Sequence, residues 1–378
     1  WRSCTLVERP CHSLRMAKGN IVTSRSLWRL EFFVVSLLFH LIFTWSIFDV
    51  YFHSPVVYPS RRFDAANAVP DAPWTGDAPA DRLVLIVADG LRADTLFQRH
   101  ATASLPSWAQ HAVQGDQLVY NGTYPDAFKR TKTVDGQVSG PLYAYAAPYL
   151  RSIARGPGVF GVSHTRVPTE SRPGHVALIA GMYEDMSAVS KGWKINPLAF
   201  DSLLNQSSHS YAYGSPDIVP MFVLGTSPDK VDWQVYNEEA EDFTKDAVEL
   251  DTWVLNRMRD VFSRAQRDPK ADARLRQPKT LFFLHLLGLD TTGHTYRPMS
   301  PEYVGNTIVV DEIVRQVSHL FEDFYGDNKT AFLVTADHGM SRKGNHGDGD
   351  PDNTRTPLVA WGAGVPKARH LPQRRFVY

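Results

Sequence analysis

Cysteine is nearly absent. The chain has two in 378 residues, Cys4 and Cys11, and both precede Met16. Disulfides and thiolate metal sites are therefore excluded from the body of the protein. An excess of one charge is lacking as well: Lys+Arg and Asp+Glu both total 40, giving a formal net charge of zero. That balance implies no polyanionic partner and no nucleic acid. No internal repeat is visible, which excludes solenoids and propellers. Long apolar runs are missing too, with one exception.

The exception lies near the N-terminus. Phe32 to Phe48 contains no Asp, Glu, Lys or Arg, and His40 is its only ionisable group. With its flanks it reaches the ~20 residues that a spanning helix needs. Lys18, Arg25 and Arg29 precede it, so by the positive-inside rule residues 1–27 are expected to be cytoplasmic and the body lumenal. A cleaved signal peptide has an apolar core of only ~7–15 residues ending at small side chains. Here the run is longer and is followed by Asp49-Val-Tyr-Phe, so residues 28–52 are read as an uncleaved signal anchor. Residues 1–15 read as sequence upstream of a start at Met16. Three sequons, at Asn121, Asn205 and Asn328, agree with a glycosylated lumenal body. Residues 53–80 carry Pro55, Pro59, Pro70, Pro73 and Pro79 and read as a linker. Residues 81–378 are then one catalytic domain, with 98–150 as an irregular insertion.

Aromatic residues make up 12% of the chain, enough for a sizeable core. Three apolar runs end in ligand-type residues. Leu83–Ala88 ends in Asp89-Gly90. Leu281–Leu287 ends in Gly288-Leu-Asp290, with His294 four residues on. Ala331–Thr335 ends in Asp337-His338-Gly339, and His346 follows. Val159–His164 reads as a further strand. The segments Leu91–Phe97, Pro148–Ala154 and 176–180 read as helical. Apolar spacings of three and four predict amphipathic helices over Asp242–Phe262 and Val304–Phe324. Strands alternating with helices predict an α/β fold, a three-layer sandwich with a mostly parallel sheet, after one N-terminal transmembrane helix. Sites in such sheets lie at the carboxyl ends of the strands.

Asp and neutral His suit zinc and also manganese. The spacings fit two divalent ions, one held by Asp290, His294 and His346, the other by Asp89, Asp337 and His338. Singly, each residue has a plainer explanation, such as a helix cap or a solvated loop side chain. Six together at three strand ends are much harder to explain that way. Glycines 90, 288, 339 and 347 would let backbone approach the site closely. A nucleophile stands between strand and helix in Val167-Pro-Thr-Glu-Ser-Arg-Pro-Gly-His175. A hydroxyl at a helix N-terminus meets backbone N–H groups and the positive end of the dipole. Thr169 and Ser171 are both candidates.

These motifs resemble the alkaline phosphatase superfamily, in its nucleotide pyrophosphatase/phosphodiesterase-like branch. Phe48–Val57, Val84–Asp94, Ser163–Gly181 and Ala336–Met340 are similar to the GPI ethanolamine phosphate transferases of that branch. The resemblance implies an alkaline phosphatase-like fold, two zinc ions and a covalent phospho-enzyme. It implies phosphatidylethanolamine as donor and the first mannose of the GPI precursor as acceptor, at the endoplasmic reticulum membrane. The branch reads Pro-Thr-x-Thr-Phe-Pro-Asn-His, and its second Thr attacks; that position falls on Ser171, and the first Thr falls on Thr169. The family also carries a multi-spanning C-terminal half, so this chain is expected to be an N-terminal fragment. A sulfatase is disfavoured, because Ser171-Arg-Pro-Gly-His175 lacks the Arg of the Ser/Cys-x-Pro-x-Arg pattern. A metal-dependent phosphodiesterase and a non-catalytic lumenal domain are the alternatives.

Overall fold

The computed structural model describes residues 19–52, 78–101, 105, 113–114, 117–118, 143–183, 201–241 and 247–367. Residues 1–18, nearly all of the expected linker, most of the expected insertion and the Asn121 sequon lie outside the described residues. So does the start of the helix expected from Asp242. The N-terminal helix and the α/β body are two compact units.

Helix α1 runs Gly19–Phe52. Within it Trp28–Ile47, 20 residues, is long and apolar enough to cross a membrane. At ~1.5 Å rise per residue this stretch spans about 30 Å, the thickness of a hydrocarbon core. Its large apolar side chains are exposed all round, Trp28, Phe39 and Trp45 among them.

The body is built on a seven-stranded sheet. In chain order its strands are β1 (Arg82–Ala88), β2 (Val159–His164), β3 (His209–Gly214), β4 (Val231–Val235), β5 (Thr280–Leu286), β6 (Thr330–Thr335) and β7 (Arg355–Gly362). The spatial order is β2-β7-β6-β1-β5-β3-β4. Strand β1 lies in the middle, in parallel register with β6 and β5. Only β7 runs antiparallel, to β6 on one side and β2 on the other. A second, small sheet joins Arg99–Ala101, Tyr143–Tyr145, Gln117–Leu118 and Val113–Gln114.

Period-two alternation divides the central strand between two cores. Val84, Ile86 and Ala88 point into one, Leu85 and Val87 into the other. The first core is closed by α3 (Val248–Ala265) and α5 (Pro301–Tyr325). Helix α3 buries Leu250, Val254, Met258 and Phe262, the three-and-four spacing seen in the sequence. Helix α5 is bounded by a Ser300 cap that accepts from Tyr303 N–H and by Gly326 in the left-handed region. The second core is closed partly by α2 (Ser171–Ala180), which contributes Val176 and Ile179. Helices on both faces of a mostly parallel sheet make the three layers expected from the sequence.

Three strands of the main sheet, and all four of the small one, lack a clear sequence signal. His209–Gly214 is fully buried although its His-Ser-Tyr-Ala-Tyr-Gly sequence looks polar. Val231–Val235 sits at a sheet edge, where Asp232 and Gln234 are tolerated. Arg355–Gly362 contains Pro357, which ordinarily argues against a strand. Helix α2 also starts earlier than the sequence suggested, because Pro173 fits in the first turn, where no N–H is required.

Candidate active site

All six expected ligands come to the carboxyl end of the sheet. Strand β1 delivers Asp89, and Gly90 turns the chain with φ of 73°. A Cβ on Gly90 would lie 3.0 Å from the Asp290 backbone, so the two strand ends approach through that glycine. After β5 the chain enters α4 (Gly288–Tyr296), which puts Asp290 and His294 one turn apart on one helix face. After β6 come Asp337 and His338, and the loop leading to β7 brings back His346. Asp89, Asp337 and His338 are almost completely buried.

Hydrogen bonding fixes the ring tautomers. A carbonyl oxygen can only accept, so a ring nitrogen facing one must carry the proton. His294 Nδ1 faces Gly344 O at 2.9 Å, His338 Nδ1 faces Gly339 O at 2.8 Å, and His346 Nδ1 faces Thr169 O at 2.9 Å. Each neutral ring then turns the lone pair of Nε2 inward. His338 Nε2 lies 3.3 Å from Asp89 Oδ1 and 3.4 Å from Asp337 Oδ2. His294 Nε2 and His346 Nε2 face each other at 3.1 Å, with Asp290 oxygens 3.4 and 3.5 Å away. Lone pairs and carboxylates pointed at one another repel unless a cation lies between them.

Two buried carboxylate oxygens, Asp290 Oδ1 and Asp337 Oδ2, have no hydrogen-bond donor. The ligand atoms of Asp89, Asp337 and His338 all fall within 4.8 Å of one another, as do those of Asp290, His338 and His346. The residues thus fit divalent metal, and His338 stands between the two groups rather than belonging to one. Electrostatics point the same way. Burial, then the charges of Asp337 and Asp290, pushes the Asp89 carboxyl well above its usual range. Burial also raises Asp290, but the neighbouring His294, His338 and His346 outweigh it and bring this carboxyl down.

The two candidate nucleophiles occupy different surroundings. Ser171 is the first residue of α2. Its Oγ is 3.2 Å from His338 Nε2 and 3.5 Å from Asp89 Oδ1. Thr169 is fully buried; its hydroxyl donates to Asp348 O and accepts from Gly347 N–H, both at 2.8 Å. Its capacity is spent on the loop that carries His346.

Three residues around the ligands had not been singled out. His285 Nε2 lies 3.0 Å from Asp89 Oδ2. His175 Nδ1 donates to Ser171 O at 2.7 Å and lies 3.4 Å from Asp337 Oδ2. Glu170 Oε2 is 3.4 Å from His346 Nδ1. The one sequence signal for His285 was a histidine inside an otherwise apolar strand. His175 and Glu170 stood in the nucleophile motif without an evident task.

Residues 193–347 match the family described as Type I phosphodiesterase / nucleotide pyrophosphatase. The matched stretch carries five of the six expected ligands, Asp290, His294, Asp337, His338 and His346. Closer relatives are more particular. The chain is 52% identical to GPI ethanolamine phosphate transferase 1 of Aspergillus oryzae, over 90% of this chain and 30% of that protein. It is 46% identical to GPI ethanolamine phosphate transferase 1 of Saccharomyces cerevisiae, over 91% of this chain and 33% of that protein. The chain therefore spans about a third of the length of the curated relatives it matches. Among solved structures, a 2-O GAG sulfatase aligns over 76% of this chain and 65% of its own, with TM-score 0.45 and 12% identity.

Proposed function

We propose that the chain is the catalytic portion of a phosphotransferase that moves ethanolamine phosphate from phosphatidylethanolamine to the first mannose of a GPI precursor. The observation that carries the catalytic reading is the place of the Ser171 hydroxyl, at a helix N-terminus and within 3.5 Å of both Asp89 and His338. The identity to proteins named GPI ethanolamine phosphate transferase 1 supports the substrates.

Two divalent ions would be held by Asp290, His294 and His346 and by Asp89, Asp337 and His338, with His338 near both. Zinc is favoured by this donor set and manganese is the alternative. When bound, such ions lower the pKa of a hydroxyl and offset charge on phosphoryl oxygens. Ser171 Oγ attacks the phosphorus of the donor, the bond to the diacylglycerol oxygen breaks, and the proton given up by Ser171 is balanced by the one that this oxygen takes up. Ethanolamine phosphate is then esterified to Ser171. A mannose hydroxyl attacks the same phosphorus, the Ser171 ester breaks, and the proton lost by the mannose oxygen is balanced by the one that returns to Ser171 Oγ. The N–H groups at the start of α2 face the charge that develops on phosphorus-bound oxygens. Thr169 holds the His346 loop and does not attack. The α1 segment supports a membrane-bound protein, with the body in the lumen of the endoplasmic reticulum and residues 1–27 on the cytoplasmic side. Asn205 and Asn328 are the described sequons available for glycosylation.

A second reading, a phosphodiesterase, is favoured by the family match. It shares the phospho-enzyme and differs only in using water as acceptor. Membranes carrying the protein, given phosphatidylethanolamine labelled in its headgroup, separate the two. Label on a one-mannose GPI precursor, lost in Asp290→Ala and Ser171→Ala, is the expected result. Label released only as free ethanolamine phosphate would establish the phosphodiesterase. Undiminished transfer by Ser171→Ala would overturn the assignment of the nucleophile.

A further inference from the structure

His285 differs from the other histidines of the site in one respect. Its Nδ1 accepts a hydrogen bond from the backbone N–H of Ser215 at 3.3 Å. An accepting Nδ1 carries no proton, so in the neutral ring the proton is on Nε2. Nε2 faces Asp89 Oδ2 at 3.0 Å and donates to it. His294, His338 and His346 have the opposite tautomer, with the Nε2 lone pair free for a cation. Although Asp89, His175 and His285 lie close enough together to suggest a third metal site, the Ser215 N–H excludes it. A ring with its proton on Nε2 has no lone pair there to give.

The ring is also wedged in place. It is fully buried. A Cβ on Gly214 would lie 2.5 Å from His285 Cβ, so the neighbouring strand fits closely around it. His175 packs edge-on against it, with ring centroids 4.7 Å apart. The register of β1 and β5 sets His285 opposite Val87, two residues before Asp89. The consequence falls on Asp89. With Oδ2 held by His285, only Oδ1 is left facing Ser171 and His338, at 3.5 and 3.3 Å.

We propose that His285 is a positioning residue: through its Nε2–H it holds Asp89 so that a single oxygen, Oδ1, is presented to the metal beside Ser171. A partner of this kind fixes the direction of a ligand's lone pair and typically contributes about 10–100-fold to metal affinity. The assignment rests on the two-metal reading above, and the test distinguishes the failure of one from the failure of the other.

Zinc affinity is measured on the complete chain in detergent, by competition with a chromophoric chelator. Wild type is compared with His285→Gln and His285→Asn, and melting of the metal-free proteins establishes that each is folded. Glutamine places an amide N–H where Nε2 stands; asparagine reaches only as far as Nδ1. Wild type is expected to bind two ions. His285→Asn should weaken one of them about 10–100-fold and leave the other unchanged, and His285→Gln should stay within about threefold of wild type. Equal affinities in all three proteins, or glutamine as weak as asparagine, would overturn the role of His285. A wild type that binds no zinc or manganese would instead overturn the metal reading itself.

Discussion

Replacing Gly174 by alanine asks whether α2 sets the position of Asp337 by direct contact. A Cβ at residue 174 would fall 2.8 Å from Asp337 O and 2.9 Å from Asp337 Cβ. Ordinary carbon contacts begin near ~3.5 Å, so either helix or strand end must give by about 0.6 Å. Stability changes little, because two effects oppose. Alanine in a helix is better than glycine by about 1 kcal/mol, and overpacking costs about 1–3 kcal/mol. The net loss is about 0–2 kcal/mol. Function is more sensitive. Misplacement by ~1 Å can cost on the order of 100-fold, so a shift of about 0.6 Å should lower transfer by about tenfold or more. Gly293→Ala is the control. Its Cβ would meet the Met340 side chain at 2.9 Å, and a flexible thioether can swing aside. Headgroup transfer, zinc affinity and urea unfolding would be measured on all three proteins. Wild-type transfer and zinc affinity in Gly174→Ala would refute the idea that this contact places Asp337.

Two further perturbations test other parts of the argument. Thr169→Ala removes two hydrogen bonds, to Asp348 O and from Gly347 N–H, and at about 0.5–1.5 kcal/mol each should cost about 1–3 kcal/mol in urea unfolding, whereas Ser171→Ala should cost about 0.5 kcal/mol or less; equal losses would contradict the division of labour between the two hydroxyls. Asp311 on α5 accepts from the backbone N–H groups of Tyr149 and Leu150. Burial pushes its carboxyl up from 3.8 to about 7, against those two hydrogen bonds. Between those values the folded chain holds a proton that the unfolded chain has lost. The stability this group confers is therefore full below about pH 4 and falls as pH rises to 7, by about 4 kcal/mol at ~1.4 kcal/mol per pH unit. Unfolding measured from pH 4 to 8 should show wild type losing that amount relative to Asp311→Asn, and a difference that does not vary with pH would refute it.

Much of the site was legible because its residues cluster in the sequence around strand ends. Asp89, Asp290 and Asp337-His338 each follow an apolar run, and the fold supplies only their convergence. The choice between Thr169 and Ser171 was not legible, since both stand in the same short loop. What separates them is contact with the Asp348 carbonyl and Gly347 N–H, distant in sequence. His285 was hidden for a similar reason. Its partner Asp89 lies across a parallel pair whose register no local pattern encodes. Strand β7 was masked by Pro357, and β3 by polar residues that burial in a complete sheet makes acceptable. Helices α3 and α5 were read well because their spacing is long and regular.

The strand order has a consequence for how the protein is made. The central strand is synthesised first, and its neighbour on one side arrives last but one: Gly90 N–H and the Asp337 carboxylate that it meets are 247 residues apart. At ~5–20 residues per second, translation needs about 12–50 seconds to cover that interval. Through all of it Asp89 waits at the end of a strand whose flank next to β6 is still unpaired, and His346 emerges later still. No metal can be gripped by the full set until the chain has passed residue 346. On the proposed two-ion reading, metal uptake would be a late event in biosynthesis, and a loaded protein would be one whose central sheet has already closed.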